Sequence, residues 1–498
     1  AIEQYAEDAE RATVLLNNNG TINVWAQAQA KGTDKATAYA SITDPLYQSA
    51  AGNGDDGDIA KTTLNNTGSL AVINIRADAT ATARSAVATA KFETGIEQYA
   101  NEADEARVAL NNSGTINIIG NAIANGQSNA EASVYASYGG IWQEATGIED
   151  GSLASVSLNN SGTLSLQALA RATAETGEAN ATATYYYQAF YQGAGEGLLN
   201  TVSFDNSGNF DITAMAHAKG ATAAFASAAY SSPLFSQEVS GTDSDSGEAV
   251  AAITNSGDFR LETTAFASAA NGKATATISL EYTGLRQDVD EADEVIARID
   301  NSGDLVILNQ AEATGVNANA LVIGGEPALE QNVDADNNNI LAHAIVTNSG
   351  TFTISNEAVA RAKDGGEANA NVGMETGINQ LVDNADDTLA SLTNDGLMSI
   401  SVDASALAAG SSGTANVIAR MTSAIYQEAD ADGNAAGEVI LINTASLNIT
   451  ADAMAVAGYE AHATAVLGTD SDVDAENGPI IQHANDGAAV LASINNSG

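Results

Sequence analysis

The 498-residue chain carries 17 basic against 63 acidic side chains, a formal net charge of −46, and no cysteine. Disulfides, zinc-thiolate sites and thiol catalysis are therefore excluded, and so anionic a surface repels the phosphate backbone of nucleic acids. At 44% hydrophobic residues it has apolar surface to bury, unlike a disordered acidic polymer, and no run approaches the ~18 apolar residues of a spanning helix.

The first element is a glutamine between apolar neighbours, with Ile2 and Ala6 on either side of Gln4. It returns at Gln48, Gln98, Gln143, Gln192, Gln237, Gln287, Gln331, Gln380, Gln427 and Gln482, at spacings of 44 to 55 residues. Every copy has an aliphatic residue or Phe two before it and Ala or Val two after it. Alternation at period two marks a strand and turns the glutamine to the apolar side. A buried amide is costly unless hydrogen-bonded, and copies stacked ~4.8 Å apart solve this by donating to one another.

Acidic clusters follow the glutamine in phase, among them Glu102, Asp104 and Glu105, or Asp288, Asp290 and Glu291. Stacked copies would line one edge with like charge, which a divalent cation relieves, and hard carboxylate oxygens suit Ca2+. The candidate ligands are Asp55, Asp56 and Asp58, Asp243 and Asp245, and Asp430 and Asp432. None completes an EF-hand loop, and a solvated acidic face that keeps the molecule soluble is the plainer alternative.

An Asn-x-Gly element comes next, at Asn18, Asn66, Asn112, Asn160, Asn206, Asn255, Asn301, Asn348, Asn394, Asn443 and Asn496. Its spacings alternate long and short, between 46 and 53, so two copies form a larger unit; Ile2 to Val24 recurs almost verbatim as Ile96 to Ile118. Around it the apolar residues share the parity of the asparagine, as in Leu110, Asn112, Gly114, Ile116 and Ile118, which places the amide inward. The glycine supplies either a positive φ or close approach; Ala445 in one copy favours close approach.

The last element is alanine on alternate positions to either side of a polar turn, as in Ala168 to Ala174 and Ala179 to Ala183. Alanine is the best helix former, but period two decides for paired strands forming a thin arm.

These pieces predict an all-β fold, a parallel β-solenoid of about ten repeats of ~47 residues. Residues 1–498 would form one continuous domain, with Asn and Gln ladders and a narrow arm lined by alanine. One coil per repeat is favoured over two, because the ladders then stack directly. The chain opens at Ala1, as a mature or trimmed segment would, and shows no end caps. The expectation is an excerpt of a longer repeat protein or a unit that stacks on itself, head to tail or laterally.

No catalytic set emerges. His217, His343, His462 and His483 are scattered and fall on the outer parity, and acids occur in every repeat instead of interrupting it once. Aromatics are more suggestive: Tyr185, Tyr186, Tyr187, Phe190 and Tyr191 cluster in one repeat, with Tyr39, Tyr135 and Phe225 at comparable places. Some must face outward, for lateral packing or glycan stacking.

The Asn-x-Gly punctuation followed by alternating apolar residues resembles the repeat regions of large bacterial surface proteins, autotransporter passengers and filamentous-haemagglutinin-like adhesins. That resemblance implies secretion, an extended β-solenoid, and a place at the cell surface in adhesion or matrix; no functional residue carries over. The expectation is a non-catalytic extracellular fibre or adhesin stalk. One rival is a tailspike-like β-helix that binds or cleaves glycans. Another is an ice- or surface-binding solenoid, hinted at by Thr80-x-Thr82, Thr182-x-Thr184 and Thr275-x-Thr277.

Overall fold

The computed structural model describes residues 1–54, 57–148, 151–241, 247–339, 341–468, 478–485 and 488–498, with the backbone alone at 336–339 and 432–435. It is a parallel β-solenoid with no helix among the described residues. One repeat is one coil. Gln4 lies in register with Gln48, Gln48 with Gln98, and Asn18 with Asn66, so corresponding residues stack directly. Ten such steps at the ~4.8 Å strand spacing make a stack about 48 Å long.

The first coil shows the four segments in order. A short glutamine strand, Ile2–Ala6, turns into an asparagine strand, Arg11–Asn18. An outgoing arm strand, Thr21–Lys31, then reverses into a returning arm strand, Lys35–Ile42. All four pair in parallel with the next coil. The arms keep the alternation: in Glu178–Tyr185 the alanines Ala179, Ala181 and Ala183 are buried while Glu178 and Asn180 face outward. Propensity for helix loses because every second alanine gains a dry partner only in the extended form.

The core is divided in two by the glutamines. The larger part joins the residues two before each glutamine to the asparagine corner and the arm, for example Leu285, Ile299, Leu305 and Ala311. The smaller is built from the residues two after, with the first half of the asparagine strand, such as Ala100, Ala106 and Val108. Phenylalanines fill the wide part around the middle coils; Phe190 stacks on Phe235 at 4.5 Å, with Phe204 and Phe210 edge-on to both.

From the third coil onward the glycine after the asparagine serves close approach, as Ala445 in its place indicates, whereas Gly68 in the second coil takes φ 102° with no atom near its Cβ position. A Cβ on Gly162, Gly208, Gly257, Gly303 or Gly350 would come within 2.1 Å of the carbonyl oxygen one coil below. The amide beyond each of these glycines donates across coils at 2.8–2.9 Å, as from Asp304 to Gly257 and from Thr351 to Gly303. Over Ala445 the corresponding bond, Ser446 to Gly396, lengthens to 3.3 Å.

The long–short alternation has a physical basis at the corner after the glutamine strand. In tight coils the fourth residue after the glutamine is left-handed: Asp8, Glu102, Glu196, Glu291 and Asn384 have φ between 54° and 63°. In the long coils beneath three of them stands Gly52, Gly147 or Gly241, each donating its amide to the tight corner above at 2.8–3.0 Å. A Cβ on Gly52 or Gly241 would lie about 2 Å from the carbonyl of Glu102 or Glu291. Long and tight coils therefore interlock as pairs.

Candidate functional site

Two amide ladders run unbroken through the stack, and both were legible in the sequence. Each glutamine donates its Nε2 to the Oε1 of the coil before it, from Gln48 to Gln4 through Gln482 to Gln427, at 2.7–3.0 Å. Each asparagine donates its Nδ2 to the Oδ1 of the coil after it, from Asn18 to Asn66 through Asn443 to Asn496, at 2.7–2.8 Å. The second N–H of a glutamine reaches across the coil to the backbone carbonyl three residues before the asparagine, as Gln287 does to Arg298 at 3.2 Å and Gln380 to Ser391 at 3.1 Å. Asparagines likewise bond a backbone carbonyl, Asn112 to Thr163 at 2.9 Å. Those carbonyls fix which amide atom is nitrogen. The two ladders consequently point in opposite directions, and their dipoles oppose.

The acidic edge is less regular than its sequence phasing implied. Asp290, Asp334 and Asp383 stack in register on the outer face of the glutamine strands, with Asn384 donating to Asp334 at 2.7 Å. Burial first, then the neighbouring Asp288, pushes Asp290 up to about 6; burial and Asp334 do the same to Asp383, also to about 6.

Of the proposed Ca2+ ligands, Asp55, Asp56, Asp243 and Asp245 lie outside the described residues, as does the side chain of Asp432. Asp58 is buried, and its carboxylate accepts the Asn53 amide at 3.0 Å. Asp430 stands beside Asp383, at a distance from Asp58 in the stack. Among the described residues no three His, Asp or Glu side chains converge as a metal-ligand set.

The four histidines stand apart. His217 and His462 face outward, and His343, partly buried, lies 3.9 Å from Asp387 with its pKa pushed down by burial. The aromatic cluster divides: Tyr185 and Phe190 are fully buried, whereas Tyr186 and Tyr187 are about half exposed. Tyr185 continues the inward parity of Ala179, Ala181 and Ala183, a signal that its place among outward tyrosines obscured. The Thr-x-Thr pairs do not stack into an array; Thr275 and Thr277 lie between Phe225 and Ser227 on one side and Asn319 and Leu321 on the other.

The fold and ladders define the chain as a parallel β-solenoid protein. Comparison with protein-family models, curated proteins and solved structures finds no match to it. No helix among the described residues is long and apolar enough to cross a membrane.

Proposed function

We propose that this chain is a non-catalytic structural element of the extracellular surface, a rod that serves as a fibre segment or adhesin stalk. The observation that carries the reading is the constancy of the interior against the variety of the exterior. Every coil keeps its glutamine and asparagine rungs, while outward positions change freely from coil to coil. Selection for a rigid repeating shape leaves that pattern, whereas a catalytic centre needs one convergent set of side chains.

The end coils are edges. The first coil's strands pair on one side only, as do those of the last, and inward residues such as Ile22, Val24, Ile449 and Ala451 are only partly buried there. A further coil of the same kind, from the same chain or a second copy, would extend both ladders. The net charge of −46 favours dispersal of a rod built from stacked strands.

Electron microscopy and small-angle scattering of the purified protein, with and without EDTA, test the proposal. Rods, or filaments with the coil spacing along their axis, are expected. Compact globular particles would overturn the rod; monodisperse single rods at every concentration would remove self-assembly and leave the stalk. Filaments lost in EDTA would assign the acidic loops a bound divalent cation.

A further inference from the structure

The outer face of the glutamine strands differs from the rest of the surface over the first five coils. Five aromatic rings stand there, Tyr5, Tyr47, Tyr99, Trp142 and Tyr191, one per coil. Tyr5 and Tyr47 have centroids 5.2 Å apart, and Tyr47 and Tyr99 5.7 Å. Trp142 stacks on Tyr191 at 4.0 Å with the planes 24° apart.

Carboxylates alternate with the rings. In register, Glu144 stands between Tyr99 and Gly193, and Glu238 follows Gly193 on the next coil. The indole N–H of Trp142 donates to Glu144 at 3.2 Å, and the Tyr191 hydroxyl donates to Glu238 at 3.3 Å.

Two glycines open a notch in this face. A Cβ on Gly193 would lie 2.6 Å from the Tyr191 hydroxyl, so its absence leaves room for the phenol ring that stacks on Trp142. Gly195 leaves space beside Ser240. The result is a groove of about 280 Å3 bounded by Glu144, Tyr191, Glu196, Glu238, Asp288 and Asp290. Arg286, whose charge acts on Glu238, is occupied by Asp288 at 2.6 Å.

We propose that this groove and the aromatic strip leading to it bind a pyranose glycan chain that is uncharged or amine-bearing. The parts of these rings that remain exposed offer apolar surface to sugar rings, and carboxylates between them accept hydrogen bonds from hydroxyl or amine groups. The carboxylates of the wall exclude uronic acids and sulfated chains by repulsion. A repeat of one ring per coil suits a ligand that is itself a linear repeat. Glu238, whose carboxyl is raised above the usual range by burial, remains within reach as an acceptor. The proposal does not depend on the rod assembling.

The test uses the intact chain with Trp25→Phe, which leaves Trp142 as the sole indole, since the chain has two tryptophans. Fluorescence titration and calorimetry are run with hexamers of glucose, glucosamine and galacturonate, and with hexalysine. Saturable quenching by glucose or glucosamine hexamer, absent with galacturonate, is expected. Read by calorimetry, Trp142→Ala should weaken binding about tenfold, on the scale of one lost aromatic contact. Gly195→Gln fills the notch against a movable Ser240 hydroxyl and should weaken binding at least as much, which covers a folding failure of the first variant. No binding to any saccharide would overturn the proposal. So would hexalysine binding as tightly as glucosamine hexamer and surviving Trp142→Ala, since that is attraction to charge alone.

Discussion

Gln287 shows what a single rung contributes. It is fully buried, donates to Gln237 at 2.8 Å and to the Ala251 and Arg298 carbonyls at 3.2 Å, and accepts from Gln331. Gln287→Ala removes all of these and strands two buried partners, at a cost of roughly 2–4 kcal/mol in denaturant unfolding. Gln287→Glu is expected to be worse at neutral pH, because a carboxylate would face three oxygens, and to recover partly in acid. Equal stability of the Glu variant at pH 5 and pH 8 would contradict the ladder geometry. The glycine slot offers a second test. Gly257→Ala should cost about 1–3 kcal/mol by overpacking, whereas Ala445→Gly should raise the melting temperature by restoring a stretched 3.3 Å bond.

At the scale of the strand, the outer face of the glutamine element sets the pH response. Asp290 and Asp383 have folded values of about 6 against an ordinary 3.8, so the folded state holds protons that the unfolded state releases. Their contribution is complete below pH 4 and is lost as pH rises through 6. His217 and His343 pull the other way, since partial desolvation lowers both below the ordinary 6.5 and the unfolded state then takes up protons first as pH falls. Glu238, Glu357 and Asp403 are also raised by burial, and the carboxylates outnumber the histidines. The melting temperature is therefore expected to rise from pH 7 to pH 5. Replacing Asp290 and Asp383 together by Asn should flatten that rise, and an unchanged slope would show that other groups set it. The arm makes a separate prediction. Ala181 is buried between walls of alanine, so Ala181→Leu should destabilise by about 1–3 kcal/mol, with no loss if the arm is loosely packed.

The whole molecule behaves as a one-dimensional stack, in which each coil meets only its neighbours. Its natural step is two coils, because a long corner bearing glycine receives a tight corner with a left-handed residue. Deleting residues 96–189, which removes one tight and one long coil, should leave a folded rod with a melting temperature lowered by a few degrees at most. Deleting residues 98–142 alone sets one long coil on another and loses the bond from Gly52 to Asn101. That variant should melt markedly lower. Equal melting temperatures for the two deletions would show that the pairing of coils has no energetic weight.

Much of this was written locally. Period two placed glutamine, asparagine and alanine on the inner face, and Ala445 already indicated that the corner glycine serves contact, which holds from the third coil onward, while Gly68 alone of these corners takes a positive φ. Those properties depend on residues two apart, which any strand brings to one side. What the stacking alone decided involves partners some 44 to 50 residues away: the opposed direction of the two ladders, the interlock of long and tight corners, and the gathering of Trp142, Tyr191 and Glu238 around Gly193. The physical reason is that an outward side chain has no fixed neighbour until the next coil is laid beside it. The interior follows from the chain's own alternation, and the chemistry of the surface from the contact between turns.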